Sequence, residues 1–243
     1  ATSHDTVAAG LSCGDETLPF GAYWMEAAEK WGASSVKPLP HFYWGDDVDD
    51  AKAEAAIKKY GFSYEKPADL AGAVADLLVK GHPVARCAGG MEYGARALGN
   101  RSILGDPSNS DLVRVINQMV KKRDFWMPFA PMVMAERQDD YLKNPRKLRS
   151  PYMMMTYDTR ENFREFIAAV HNADLTCRAQ VLERKQNPAM HDILKAFEKR
   201  TGRGIILNTS FNLHGFPIVR TPEEALEVLK GSGLQHLQLG SFL

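Results

Sequence analysis

The sequence predicts an α/β fold, a twisted mixed sheet with flanking helices. Two observations carry that reading. Stretches with apolar residues at helical spacing alternate with short apolar runs of strand length, and no internal repeat or low-complexity segment breaks the alternation. The order of the strands is not readable from this pattern.

In chain order, residues 1–36 are an irregular lead-in with one short helix near Ala22–Trp31, and residues 37–60 form a linker and a helix. Lys37-Pro-Leu-Pro40 is stiff and extended, because proline fixes its own φ and biases its neighbour toward extended backbone. Acidic Asp46–Asp50 suits a helix start, where carboxylates oppose the helix dipole; Gly61 stops that helix after Tyr60. Residues 61–243 then carry the alternating pattern. Pro67 opens a helix bearing Leu70, Val74, Leu77 and Leu78 on one side, closed by Gly81. Pro83–Ala88 reads as a buried strand, and Asp111–Val120 as an amphipathic helix. Phe129–Met134, Pro151–Tyr157 and Thr176–Leu182 read as strands. Asn187-Pro188 combines an N-cap with proline at the first helical position, and Gly202 ends that helix. Gly204–Leu207 is a buried strand, Thr221-Pro-Glu-Glu224 a capping box, and Leu234–Leu239 the last strand.

Composition narrows the function. Thirty basic residues balance thirty acidic ones, so no global field draws nucleic acid or an anionic membrane surface. No apolar run approaches a membrane span, and residues at the start lack a signal pattern. Cys13, Cys87 and Cys177 are odd in number and scattered, which fits reduced thiols in the cytoplasm rather than a disulfide framework. The first residues, Ala1-Thr-Ser-His4, include no initiator methionine and read as the start of a fragment.

The chemistry concentrates in Gly89–Pro107, GGMEYGARALGNRSILGDP. Its glycines let backbone approach a ligand closely, and Arg96 and Arg101 stand five positions apart around Gly99-Asn100. They form either a surface pair or a phosphate clamp that uses the guanidinium fork. Lys121-Lys122-Arg123 is either a solvated face or, with Lys121 and Arg123 on one side, a neutraliser of polyphosphate. Thr176, Arg178 and Gln180 alternate along the expected strand, as do Asn208, Ser210 and Asn212 after Ile205-Ile206-Leu207. No GxSxG elbow surrounds Ser210, so a hydroxyl bonded to phosphate suits it better than a nucleophile. Walker A and dinucleotide fingerprints are absent, and the dispersed histidines include no metal-ligand spacing.

Taken together, MEYGARALGNRSILGDP, the segment from Val120 to Pro131 with its PFAP, DLTCRAQ, and ILNTSFNLHGFPIV followed by TPEEAL resemble the C-terminal domain of the NodU/CmcH-type O-carbamoyltransferases. The resemblance implies a YrdC/Sua5-like fold that makes carbamoyl adenylate from carbamoyl phosphate and ATP with Mg2+. It implies that Arg96, Lys121, Arg178 and Ser210 are catalytic, and that Arg101, Arg123, Asn208 and Asn212 bind the nucleotide and carbamoyl phosphate. Residues 11–24, LSCGDETLPFGAYW, resemble the tail of a preceding Kae1-like domain of the same polypeptide, which holds Fe2+ and transfers the carbamoyl group to an acceptor hydroxyl. Asp15 matches a metal ligand of that domain, whose other ligands lie upstream. Phe20, Tyr23 and Trp24 would be buried against it; exposed, they favour self-association, which admits a homodimer. The chain departs from the family at Gly90 and Met127, where arginine is usual, and at Ala95, where proline is usual. Those departures keep a second reading, a nucleotide-binding module without turnover, beside the first. A threonylcarbamoyl-adenylate synthase for tRNA modification is a third.

Overall fold

The computed structural model describes residues 14–37, 39–121 and 127–243, the side chain of Lys121 excepted. The helices are α1 (Leu18–Trp31), α2 (Asp50–Tyr60), α3 (Leu70–Val79), α4 (Asp111–Ile116), α5 (Gln138–Tyr141), α6 (Pro188–Thr201) and α7 (Pro222–Gly231). The strands are β1 (Val84–Cys87), β2 (Arg101–Gly105), β3 (Ala130–Met134), β4 (Leu142–Lys143), β5 (Tyr157–Thr159), β6 (Thr176–Cys177), β7 (Gln180–Leu182), β8 (Ile205–Ser210) and β9 (His236–Leu239). Six strands make the main sheet, in the order β7-β3-β8-β2-β1-β9, and β4-β5-β6 make a small second one. β1 runs parallel to β9 and antiparallel to β2; β8 is antiparallel to both β2 and β3, and β3 is parallel to β7. The expected α/β class with a mixed sheet and flanking helices is what forms.

Both faces of the main sheet are covered, which explains why its strands read as unbroken apolar runs. Successive residues go to opposite cores. Val84, Leu104, Ile206, Met132 and Met134 pack with Val74 and Leu78 of α3 and with Ile193, Leu194 and Phe197 of α6. Their neighbours Ala85, Cys87, Ile103 and Leu207 pack instead with Ile57 of α2, Ile116 of α4 and Leu226 of α7. The small sheet closes a third cluster, in which Tyr141, Phe166 and Cys177 meet Val133 and Ile205. Cys87 and Cys177 are buried free thiols, and burial pushes them up to about 11 and about 12 respectively.

The predicted caps form. Asp49 accepts the amide of Lys52 and Asn187 that of Met190, while Thr221 and Glu224 close a complete capping box. Gly61 and Gly202 stop α2 and α6 in the left-handed region, at φ 74° and 76°.

Four expectations need correction. α3 begins at Leu70 with Asp69 as cap, because Asp69 accepts the amide of Gly72; Pro67 precedes a turn. Pro151–Tyr157 is not a strand: Met153 sits at φ 56°, which turns the chain, and pairing starts only at Tyr157. Thr176–Leu182 splits into β6 and β7 on different sheets, with Arg178 at the junction. The Gly-rich turn ends at Asn100, so Arg101 is the first residue of a buried strand.

Candidate functional site

β1 and β2 are joined by the loop of residues 88–100, and three side chains hold its shape. Glu92, 7% exposed, accepts from the amides of Leu98 and Asn100 at 2.7 Å and of Arg101 at 3.1 Å through one carboxylate oxygen. Asn100 donates to the carbonyl of Gly90 at 2.7 Å. Its own side-chain oxygen accepts from Arg86 at 2.6 Å and from Asn187 at 2.8 Å. Arg86, buried in β1, donates also to the carbonyl of Gly99 (2.8 Å) and to Gln238 (3.0 Å). Burial lowers Arg86 to about 10, which leaves it a cation at neutral pH. Gly99 is at φ 115°, and a Cβ there would meet Met190 of α6 at 2.8 Å, so the loop can lie flat on that helix only with glycine.

An extended segment crosses this loop from outside. The amide of Tyr93 donates to Phe42 (2.8 Å), that of Met91 to Asp46 (3.1 Å), and that of Gly45 to Met91 (3.0 Å). Gly90 permits the crossing, because a Cβ there would stand 2.8 Å from the carbonyl oxygen of Tyr43. The Tyr43 hydroxyl donates to the carbonyl of Leu98 at 3.0 Å, and burial pushes its pKa up. Gly90 therefore makes a close backbone contact with the crossing segment.

Inside the loop lies a cleft of about 80 Å³, lined by Ala95, Arg96 and Ala97 of the loop, by Pro128 to Ala130 leading into β3, by Met153 and Arg178, and by Asn208, Thr209 and Ser210 of β8. Four predicted residues, Arg96, Arg178, Asn208 and Ser210, thus converge from three distant parts of the chain. Asn212 adjoins them: its side-chain oxygen accepts from the Ser210 hydroxyl at 2.7 Å, while its amide nitrogen donates to the carbonyls of Leu213 and Phe216. Two guanidiniums around a cleft with no carboxylate among its described lining residues suit an anion rich in acceptor oxygens. A larger cavity lies elsewhere. At about 880 Å³ it runs along the outer edge of β9 between α2 and α3, with a largely apolar lining that includes Leu226, Leu229 and Phe242.

The other predicted residues fall differently. Arg101 is fully buried, and its guanidinium donates to the backbone carbonyls of Gly89 (2.9 Å), Asp46 (3.0 Å), Asn100 (3.2 Å) and Arg220 (3.3 Å). It ties the loop, the crossing segment and the approach to α7 together and is not brought to the cleft. Lys121 closes a π turn that extends α4, and Arg123 lies outside the described residues. Asp15 is exposed in a short turn, and no group of three metal-ligating side chains occurs among the described residues. Reading the sequence missed Arg86 and the role of Glu92. A charge in the middle of the apolar run Val84–Cys87 was the available signal for Arg86, since a buried cation must be fully bonded.

Residues 75–243 match the family described as Carbamoyltransferase C-terminus. The chain belongs to this family. Among curated relatives, the nodulation protein NolO of Bradyrhizobium diazoefficiens is 35% identical over 233 residues, which are 94% of this chain and 42% of NolO. The nodulation protein NolNO of Sinorhizobium fredii is also 35% identical over 233 residues, covering 94% of this chain and 34% of NolNO. This carbamoyltransferase C-terminal chain therefore spans less than half the length of these relatives. Full-length HypF, in its phosphate- and nucleotide-bound crystal form, aligns with 74% of this chain and 21% of its own, at 18% identity and a TM-score of 0.47. No helix among the described residues is long and apolar enough to cross a membrane.

Proposed function

We propose that this chain forms carbamoyl adenylate from carbamoyl phosphate and ATP, as the activating part of an O-carbamoyltransferase. The observation that carries the proposal is the meeting of Arg96, Arg178, Asn208 and Ser210 at one small cleft in a chain of the carbamoyltransferase C-terminal family. In balanced form, water converts carbamoyl phosphate into carbamate and inorganic phosphate. A carbamate oxygen then bonds to the α-phosphorus of ATP while the bond from that phosphorus to the bridging oxygen breaks, and pyrophosphate leaves. Negative charge builds on the α-phosphate oxygens in that step. Arg96 and Arg178 are the cations that would offset it, and the Ser210 hydroxyl, whose one hydrogen goes to Asn212 here, would donate to the same oxygens on turning from Asn212. Preorganisation matters because both reactants are anions that repel each other. With no carboxylate among the described residues lining the cleft, Mg2+ would arrive on the triphosphate as part of the substrate. In a longer polypeptide, Asp15 would belong to the iron site of an upstream Kae1-like domain that receives the activated group.

The second reading, a binding module without turnover, is favoured by Met127. It is 37% exposed beside the Pro128 wall of the cleft and supplies no charge where arginine is usual in the family.

Pyrophosphate release from ATP and Mg2+, with and without carbamoyl phosphate, separates the two. The expected result is release that depends on carbamoyl phosphate. Arg96→Ala should cut it by about 10- to 100-fold, the value of a charge-assisted hydrogen bond worth about 1.5–3 kcal/mol. ATP binding without release would establish the module instead.

A further inference from the structure

We infer that Asn208 is the specificity-determining residue for the primary amide of the activated group; the inference rests on the carbamoyl-adenylate reading of the cleft. Asn208 is 2% exposed on β8 and lines the cleft. Its side-chain orientation is fixed by a chain of bonds that allows one assignment only. The carbonyl of Leu98 can only accept, so the group of Gln180 facing it at 3.0 Å is the amide nitrogen. That turns the Gln180 oxygen toward Asn208, which must present its nitrogen in return, at 3.0 Å. The same Asn208 nitrogen donates to the carbonyl of Ala97, also at 3.0 Å. Both of its hydrogens are then committed, and rotating the amide would set oxygen against oxygen twice.

What remains is the Asn208 side-chain oxygen, a buried acceptor with no hydrogen-bond partner among the described residues. Buried acceptors are nearly always satisfied, so an orphan at the wall of a ligand cleft calls for a donor from the ligand. Ionised phosphate and carboxylate oxygens cannot supply one, whereas the guanidiniums of Arg96 and Arg178 suit those oxygens. A carbamoyl group has both faces: acceptor oxygens for the cations, and an NH2 for Asn208. The ribose hydroxyls are the other donors of the reactants, and the test below separates them, because neither probe carries a hydroxyl on carbon. Asn208 therefore selects carbamoyl over acetyl or carboxyl groups of the same shape, and the loop carbonyls of Ala97 and Leu98 set its orientation through Gln180.

The test uses two stable mimics of carbamoyl phosphate that differ only by NH2 against CH3, phosphonoacetamide and 2-oxopropylphosphonate, titrated calorimetrically into the full chain. The expected result is about tenfold tighter binding of the amide, the value of about one neutral hydrogen bond. Asn208→Ser should reduce that preference to within about twofold while both phosphonates still bind. Equal binding to the unmodified chain overturns the inference and leaves the adenylate reading standing, as does a preference that survives in the variant. Binding of neither phosphonate overturns the inference and the anion site with it, whereas a clear amide preference in a chain that releases no pyrophosphate removes only the adenylation reading. Should Asn208→Ser fail to fold, proton–nitrogen correlation spectra of phosphonoacetamide labelled with nitrogen-15 decide. One amide proton moves downfield on binding to the unmodified chain if Asn208 accepts it, and neither moves if it does not.

Discussion

At the scale of single residues, three arginines near one loop have three different roles, and burial decides which. Arg86 and Arg101 are buried and spend their guanidiniums on protein oxygens, whereas Arg96 is exposed at the cleft. Spacing along the sequence cannot separate them, because Arg96 and Arg101 both sit among glycines and only the start of β2 divides turn from strand. Glu92 was equally hard to read, as its partners are backbone amides that leave no mark in the sequence. With three of those amides on one oxygen, Glu92→Ala leaves buried donors unsatisfied. It should destabilise the fold by about 3 kcal/mol, since bonds to a charged group are worth about 1.5–3 kcal/mol each and some water returns. Urea denaturation would show the loss, and pyrophosphate release should fall as the loop carrying Arg96 loses its shape. An unchanged denaturation midpoint would mean that the loop is held by the crossing segment alone.

At the scale of elements, caps and apolar runs were legible and strand limits were not. Asp49, Asn187 and Thr221 declared their helices because a cap is local chemistry. The break between β6 and β7 is decided by which sheet each half joins, and that depends on β3 and β5, far away in sequence. A similar long-range tie fixes the end of β2. Asp106 follows it and forms a two-pronged ion pair with Arg203, which links α6 to β8, at 2.6 and 2.8 Å. Burial pushes the Asp106 carboxyl up, but bonds from Arg203 and Ser108 outweigh that, so it titrates below its ordinary value. A carboxyl depressed in the folded state adds stability above its unfolded pKa of about 3.9, and that stability is lost as pH falls through the folded value. Arg203→Met reverses the sign, because an unpaired buried carboxylate gains by taking a proton. The variant should lose about 3 kcal/mol at pH 7, and the gap to the unmodified chain should narrow steadily toward pH 3. A gap independent of pH would assign the loss to the contact of the Arg203 guanidinium over the ring of Phe197.

At the scale of the whole molecule, the two cores on either side of the sheet account for most apolar side chains, and α1 stands apart from both. Its inner side chains join an aromatic cluster, with Phe20 5.2 Å from Tyr93 and 5.7 Å from Trp44 between ring centres, so Phe20 and Trp24 are half-buried rather than exposed as the sequence suggested. The Tyr93 hydroxyl, donating to the carbonyl of Glu16, ties the start of the helix to the same loop that carries Arg96. Other side chains of the helix are different: Leu18, Tyr23, Met25 and Trp31 are each more than 60% exposed. Large exposed apolar side chains gathered on one helix are unfavourable in water, and Lys30 with Glu26 is the one ion pair on that helix among the described residues. Copies of this chain should therefore associate through α1. Sedimentation velocity should show a weight-average coefficient that rises with concentration across the micromolar range, and Tyr23→Lys with Met25→Glu should hold it at the monomer value. Because neither residue lines the cleft, pyrophosphate release per chain should be the same in the double variant. A single monomeric species at every concentration of the unmodified chain would show that this exposed apolar surface is too small, or too mobile in its side chains, to repay the entropy of association.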